Sequence, residues 1–121
     1  MKRVDKKTNP RYSALISMLK EASRVNGANL WREIAKRLEA PNRNYAEVNI
    51  SKISRYANTD EIIIVPGKVL GSGVIDLQVS VAALNFSDAA ASKIKDANGE
   101  CMTIEDLLRD NPNGKCVRIL R

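Results

Sequence analysis

The spacing of the apolar residues changes once along this chain, and that change limits the fold more than any other feature. Up to Leu38 they recur every three or four residues; from Glu61 they come in unbroken runs or on alternate positions. The first spacing puts a stripe on a helix, and the second suits strands. Tyr12, Leu15, Ile16, Leu19 and Ala22 make the first stripe. Asn9-Pro10 before it reads as a cap and first helical residue, and Gly27 after it as a stop, so a helix is predicted over about residues 10–25. Asn29 reads as the cap of a second helix bearing Leu30, Trp31, Ile34, Ala35 and Leu38, ended by Pro41. Its outer face carries Arg32, Glu33, Lys36 and Arg37. Glu33 and Arg37 stand four apart and can pair, which leaves Arg32 and Lys36 as the freer cations. Pro41 to Tyr45 reads as a loop, and the stretch around Val48, Ile50 and Ile53 follows neither period.

The second half reads as short strands and helices. Ile62-Ile63-Ile64-Val65 is a β-branched run that Pro66-Gly67 should stop. Ile75, Leu77, Val79, Val81 and Ala83 alternate with Asp76, Gln78 and Ser80, as a strand with one buried face requires. Ser87 should cap a helix with Ala90, Ile94 and Ala97 inward, ending at Asn98-Gly99. Thr103 should cap a shorter helix through Leu107 and Leu108, closed by the turn Asn111-Pro112-Asn113-Gly114. Lys115 to Arg121 reads as a last strand. With 121 residues, 44% of them apolar, one domain with a modest core is expected.

Charge is distributed unevenly. The formal net charge is +6, but residues 1–60 hold 13 Lys/Arg against 6 Asp/Glu, a net of +7, and residues 61–121 hold 7 against 8, a net of −1. A dedicated anion-facing region in the first half explains this better than a generally solvated surface. Met1 to Thr8 is a basic arm with Lys2, Arg3, Lys6 and Lys7, too polar to bury itself and expected to order only on a polyanion. No apolar run long enough to span a bilayer is present and the start lacks the apolar core of a signal peptide, so a cytoplasmic location is expected, with no membrane partner.

Catalytic and cofactor chemistry finds little support. There is no histidine, which removes the commonest general base and the usual partner of a nucleophilic serine or cysteine. Cys101 and Cys116 are the only cysteines and supply at most two zinc ligands, so they are read as small residues in or near the core. Gly67-Lys68-Val69-Leu70-Gly71-Ser72-Gly73 invites comparison with phosphate loops, but it lacks the Gly-Lys-Ser/Thr order and has Asp76 where the dinucleotide fingerprint needs glycine. Either the glycines let an RNA backbone approach beside Lys68, or they only turn the chain. Glu105 and Asp106 are explained by the start of a helix, where carboxylates complement the dipole. Asp76, Asp88 and Asp96 read as a strand surface, a helix start and a helix surface. Among five aromatics, Tyr12 and Trp31 sit on apolar stripes, and Tyr45, in a loop with Asn44 and Arg43, is the better candidate to stack on a base.

Two blocks, Pro66 to Gly73 and Val81-Ala82-Ala83-Leu84-Asn85-Phe86-Ser87, resemble the archaeal form of large-subunit ribosomal protein eighteen-e. Thr103-Ile104-Glu105-Asp106-Leu107-Leu108 with Asn111-Pro112, and the ending Val117-Arg118-Ile119-Leu120-Arg121, fit the same pattern, so the resemblance covers essentially the whole chain. That family is related to bacterial large-subunit protein fifteen. Asn98-Gly99 departs from it where two glycines are expected, but Asn tolerates the left-handed conformation. The resemblance implies an α/β fold in one compact domain, with N-terminal helices followed by short strands and helices in an irregular ββα superhelical arrangement. It implies a structural constituent of the large ribosomal subunit, bound to large-subunit ribosomal RNA beside neighbouring ribosomal proteins, with no catalysis, cofactor or small-molecule substrate.

The candidate RNA contacts are Lys2, Arg3, Lys6, Lys7, Arg11, Arg32, Lys36, Arg37, Arg43, Lys52 and Arg55 from the basic half, with Tyr45 for stacking. To these the resemblance adds Lys68, Gly71 and Gly73, and the reading of the glycine loop as a close approach to RNA adds Ser72. A free-standing basic protein that coats DNA or RNA is the alternative, and would need a symmetric dimer surface or a groove-reading helix.

Overall fold

The chain is described by a computed structural model, which covers residues 10–41, 45–58 and 60–121. The arm Met1 to Thr8, the cap Asn9, and Asn42, Arg43 and Asn44 lie outside the described residues. The order of elements is α1 Pro10–Asn26, α2 Asn29–Glu39, β1 Ala46–Asn49, α3 Ile50–Tyr56, β2 Ile62–Leu70, β3 Ser80–Phe86, α4 Asp88–Asp96, β4 Glu100–Thr103, α5 Ile104–Asp110 and β5 Val117–Ile119. This is an α/β chain with its helices first, as the sequence implied.

All strand pairs are parallel, in the order β1-β2-β3-β4, with β5 also joined to β2. β1 lies beside Gly67 to Leu70 and β5 beside Ile62 to Ile64, so two short strands share one edge of β2. A parallel sheet needs cover on both faces, and its central strands therefore read as unbroken apolar runs. Ile63 to Gly67 and Val81 to Leu84 are accordingly buried throughout. Alternate residues feed two cores. Ile63, Val65, Val81 and Ala83 pack with Ile50 and Ile53 of α3 and Ala90 and Ile94 of α4. Ile64, Ala82 and Leu84 pack on the other face with Leu15 and Leu19 of α1, Trp31, Ile34 and Leu38 of α2, and Ile104 and Leu107 of α5. Trp31 is fully buried and donates its indole N–H to the Pro112 carbonyl at 2.7 Å, which removes the cost of burying that polar group.

The caps of α4 and α5 form as predicted: Ser87 Oγ accepts from the Ala90 N–H at 3.1 Å, and Thr103 and Asp106 make a reciprocal capping box. Asn98 adopts φ 64°, the left-handed turn expected of it.

Several expectations need correcting. Pro66-Gly67 does not end the β-branched run. β2 continues through it, with a register shift against β3 between Val65 and Lys68. Proline is accepted at such a bulge because no ladder bond needs its missing N–H. Gly67 is there because β1 comes very close: an added Cβ would lie 1.9 Å from the Ala46 carbonyl oxygen.

The alternating stretch from Ile75 is not strand until Ser80. Ile75 and Val79 bury against the α3/α4 core from an irregular segment, and Asp76 is exposed on that segment rather than on a strand. Residue 28, not Asn29, is the N-cap of α2; Asn29 is already helical and Ala28 makes no side-chain cap bond. The final strand is three residues long, Val117–Ile119. The stretch around Val48 followed neither period because a four-residue strand passes directly into α3. Cys101 is partly buried beside the α3/α4 core as read, but Cys116 is exposed, at a positive φ of 61°.

Candidate nucleic-acid interface

α1 and α2 run into one another through Gly27-Ala28, and the faces they do not give to the core form a groove of about 730 Å³. Lys20, Ser23 and Arg24 line it from α1 and Asn29, Arg32, Lys36 and Glu39 from α2. Lys20 pairs with Glu39 and Arg24 with Glu21. Both pairs are exposed, where water and salt leave little net attraction, so their cations are easily lent to another anion. Among the described residues neither Arg32 nor Lys36 forms an ion pair. Arg37 is taken by Glu33 at 3.1 Å, the pairing that the four-residue spacing predicted. The side-chain Nε of Arg37 is nevertheless buried with no hydrogen-bond partner among the described residues, beside a smaller hollow of about 280 Å³ that Arg121 also lines.

The other sequence candidates divide by what already holds them. Arg11 lies against Glu105, donating through Nε at 2.9 Å and Nη2 at 3.2 Å. That hydrogen bond holds the Glu105 carboxyl below the usual range and pushes the Arg11 guanidinium up. Glu105 is thus more than a favourable charge at a helix start: it ties α5 to α1. Lys52 donates to the carbonyl of Arg121, and the Arg55 guanidinium stands 6.0 Å from the Tyr56 ring centroid. Tyr56 is exposed, so this pair forms a small cation and aromatic patch on α3.

Tyr45 is half-buried. It donates its hydroxyl to the Leu38 carbonyl at 2.6 Å and its ring lies 6.0 Å from that of Tyr12. Burial pushes its phenol up. Lys2, Arg3, Lys6, Lys7 and Arg43 lie outside the described residues.

The glycine loop is tied down from within. Ser72 accepts from the Ser51 N–H and donates its own N–H to Asn49, each at 3.3 Å. Lys93 of α4 reaches across to donate to the carbonyls of both Gly71 and Gly73 at 2.9 Å. A Cβ on Gly71 would lie 2.6 Å from that of Ala89, and one on Gly73, whose φ is +102°, would lie 2.5 Å from that of Ser51. The chain's own packing therefore accounts for both glycines. Lys68 is exposed on β2, outside these bonds.

Sequence reasoning missed Lys20 and Arg24. Their four-residue spacing at the end of α1 was visible, but only the turn of α1 onto α2 sets them opposite Arg32 and Lys36. It also missed Lys93, a cation in the acidic half that works inward.

Among the described residues no group of three or more Cys, Asp or Glu stands close enough to hold a metal ion, and no helix is long and apolar enough to cross a membrane. The fold and this groove define a class: small basic α/β domains with a cationic helical edge. The chain belongs to the family described as ribosomal protein 60S L18 and 50S L18e, which matches residues 1–121. It is 68% identical over 121 residues to large ribosomal subunit protein eL18 of Methanoregula boonei, covering all of both chains. It is 62% identical to the protein of that name in Methanosphaerula palustris, over 96% of each chain. With that of Halobacterium salinarum it shares 51% identity over 95% of this chain and 98% of the relative.

Proposed function

We propose that this protein is a structural constituent of the large ribosomal subunit that binds and stabilises large-subunit ribosomal RNA and performs no catalysis. It then acts in the ribosome, and so in the cytoplasm, beside other ribosomal proteins. The observation that carries the binding mode is the groove between α1 and α2, where four cations, Lys20, Arg24, Arg32 and Lys36, face one carboxylate, Glu39. An RNA phosphate backbone is the occupant that matches such an excess, since each neutralised phosphate releases counterions. The basic arm and Arg43 extend the same charge along the first half of the chain, where the whole excess lies.

Two measurements test the reading. The cellular protein should sediment with the large subunit and stay there through a moderate salt wash. Purified protein should bind deproteinised large-subunit RNA with a log-log salt slope of roughly −4 to −7, the value for six to eight phosphate contacts. Arg32→Ala with Lys36→Ala should lessen that slope by about two. A slope near zero, or no association with subunits at any salt, would sink the proposal.

A further inference from the structure

A second concavity, of about 460 Å³, opens over the sheet where β1, β2 and β3 leave their helical cover. Its apolar wall is Tyr12, Tyr45 and Leu84, and its polar rim is Glu47, Lys68 and Asn85. The three rim residues form one rung of the sheet, Glu47 beside Lys68 and Lys68 beside Asn85. β2 and β3, which elsewhere bury both faces, here join β1 in exposing three neighbouring polar residues, and the bulge between Val65 and Lys68 lies directly before them. Bulges recur beside binding sites because they re-aim side chains. Glu47 and Lys68, although adjacent, form no ion pair with one another, and the Asn85 amide has no hydrogen-bond partner among the described residues. These groups remain available for a ligand.

The wall is held in advance. The Tyr12 and Tyr45 rings meet at 59°, giving a tilted aromatic corner. Tyr45 is fixed by its bond to the Leu38 carbonyl, and Tyr12 has on it the Arg11 guanidinium, 5.8 Å from its centroid, which Glu105 fixes in turn. Side chains ordered before binding lose little freedom when a ligand arrives.

We propose that this pocket takes one unstacked purine nucleotide of the bound RNA, its base against the Tyr12/Tyr45/Leu84 wall, its edge read by Asn85 and its phosphate met by Lys68. The inference rests on the RNA-binding reading above. The volume lies in the range of sites for single small molecules, roughly 300–1,000 Å³, and is too small for a duplex. A side-chain amide offers one donor and one acceptor side by side, the arrangement that pairs two-fold with a purine edge. Glu47 disfavours a second phosphate at the rim but accepts from base or ribose donors, so the pocket suits an extruded base more than a run of backbone. Recognition of RNA by splayed bases stacked on aromatic rings needs such a corner.

The test uses the full chain at saturation on deproteinised archaeal large-subunit RNA. Reagents that modify the pairing edges of adenine and guanine report the pocket, and filter binding reports affinity. The wild-type protein should protect one purine that lies outside helices. Asn85→Ala and the near-isosteric Asn85→Asp should each restore at least half of its reactivity and raise Kd about tenfold. Asn85 is exposed and has no hydrogen-bond partner among the described residues, so both variants should keep the wild-type circular dichroism and melting point. Lys68→Ala should raise Kd and lower the salt slope by about one, whereas Arg32→Ala should raise Kd and leave the protection intact. If RNA still binds but no single purine is protected, or if the Asn85 variants protect it as the wild type does, the pocket is not a nucleotide site and the groove reading stands. If the wild-type protein does not bind the RNA, both fail together.

Discussion

Replacing Gly71 by alanine should destabilise the protein in the absence of any RNA. The added Cβ would lie 2.6 Å from the Ala89 Cβ and 2.8 Å from the Ala90 nitrogen. Carbon atoms in contact settle at about 3.5–4.0 Å, so the first turn of α4 must retreat by about 1 Å. That turn is not free to move. Ser87 caps it through the Ala90 N–H at 3.1 Å, and the Ser87 N–H is itself bound to the Val69 carbonyl at 2.9 Å. Overpacking against a held backbone costs about 1–3 kcal/mol. At about 4 °C per kcal/mol for a domain of this size, the melting temperature should fall by about 4–12 °C. Calorimetry on the RNA-free protein measures this directly. Ala89→Gly in the same chain removes the nearer contact but leaves the Ala90 nitrogen, so part of the loss should return. A Gly71→Ala protein with unchanged melting temperature and weakened RNA binding would refute the packing argument and hand the loop back to RNA.

Two further outcomes follow from the core and from the tie between α1 and α5. Trp31→Phe leaves the Pro112 carbonyl without its donor and opens space beside Leu15 and Leu19, so urea unfolding should show a loss of about 1–3 kcal/mol with unchanged m. Glu105 titrates below its ordinary value of 4.5 because Arg11 binds its charged form, so its contribution is complete above that value and is lost as pH falls through the depressed one. Glu105→Gln should therefore lower stability at pH 7 and flatten the acid side of the stability profile, and equal acid sensitivity in variant and parent would contradict the pairing.

What could be read from the sequence was what neighbours in the chain decide. The stripes of α1 and α2, the caps Ser87 and Thr103, the Glu33–Arg37 pair and the left-handed Asn98 all depend on residues within a turn or two, and each formed as read. What could not be read depends on segments far apart. Pro66-Gly67 has the composition of a turn, and only the approach of Ala46 and the pairing with β3 make it a bulged strand. Ile75, Leu77 and Val79 alternate as a strand should, but burial without a ladder partner satisfied the same pattern. The candidate site shows the same division. The half of the chain that carries the charge was plain, but Arg11 is separated by 94 residues from the carboxylate that takes it. Glu47, Lys68 and Asn85 come from three strands and share a rung only once the sheet has formed.

The shared edge of β2 also has a bearing on the order in which the molecule is built. On that side Ile62 to Ile64 pair with Val117 to Ile119 alone, so a nascent chain leaves the amides and carbonyls of Ile62 and Ile64, in its most apolar strand, without partners until residue 120 has been made. An unpaired apolar edge is a template for the wrong strand, including one from another copy. Synthesis at about 5–20 residues per second keeps that edge open for several seconds after β2 is complete, even before clearance of the exit tunnel is counted. A stop codon only a few positions early would leave it open for the life of the molecule. Such truncated chains should appear in aggregates and with chaperones long before they show any defect in binding RNA.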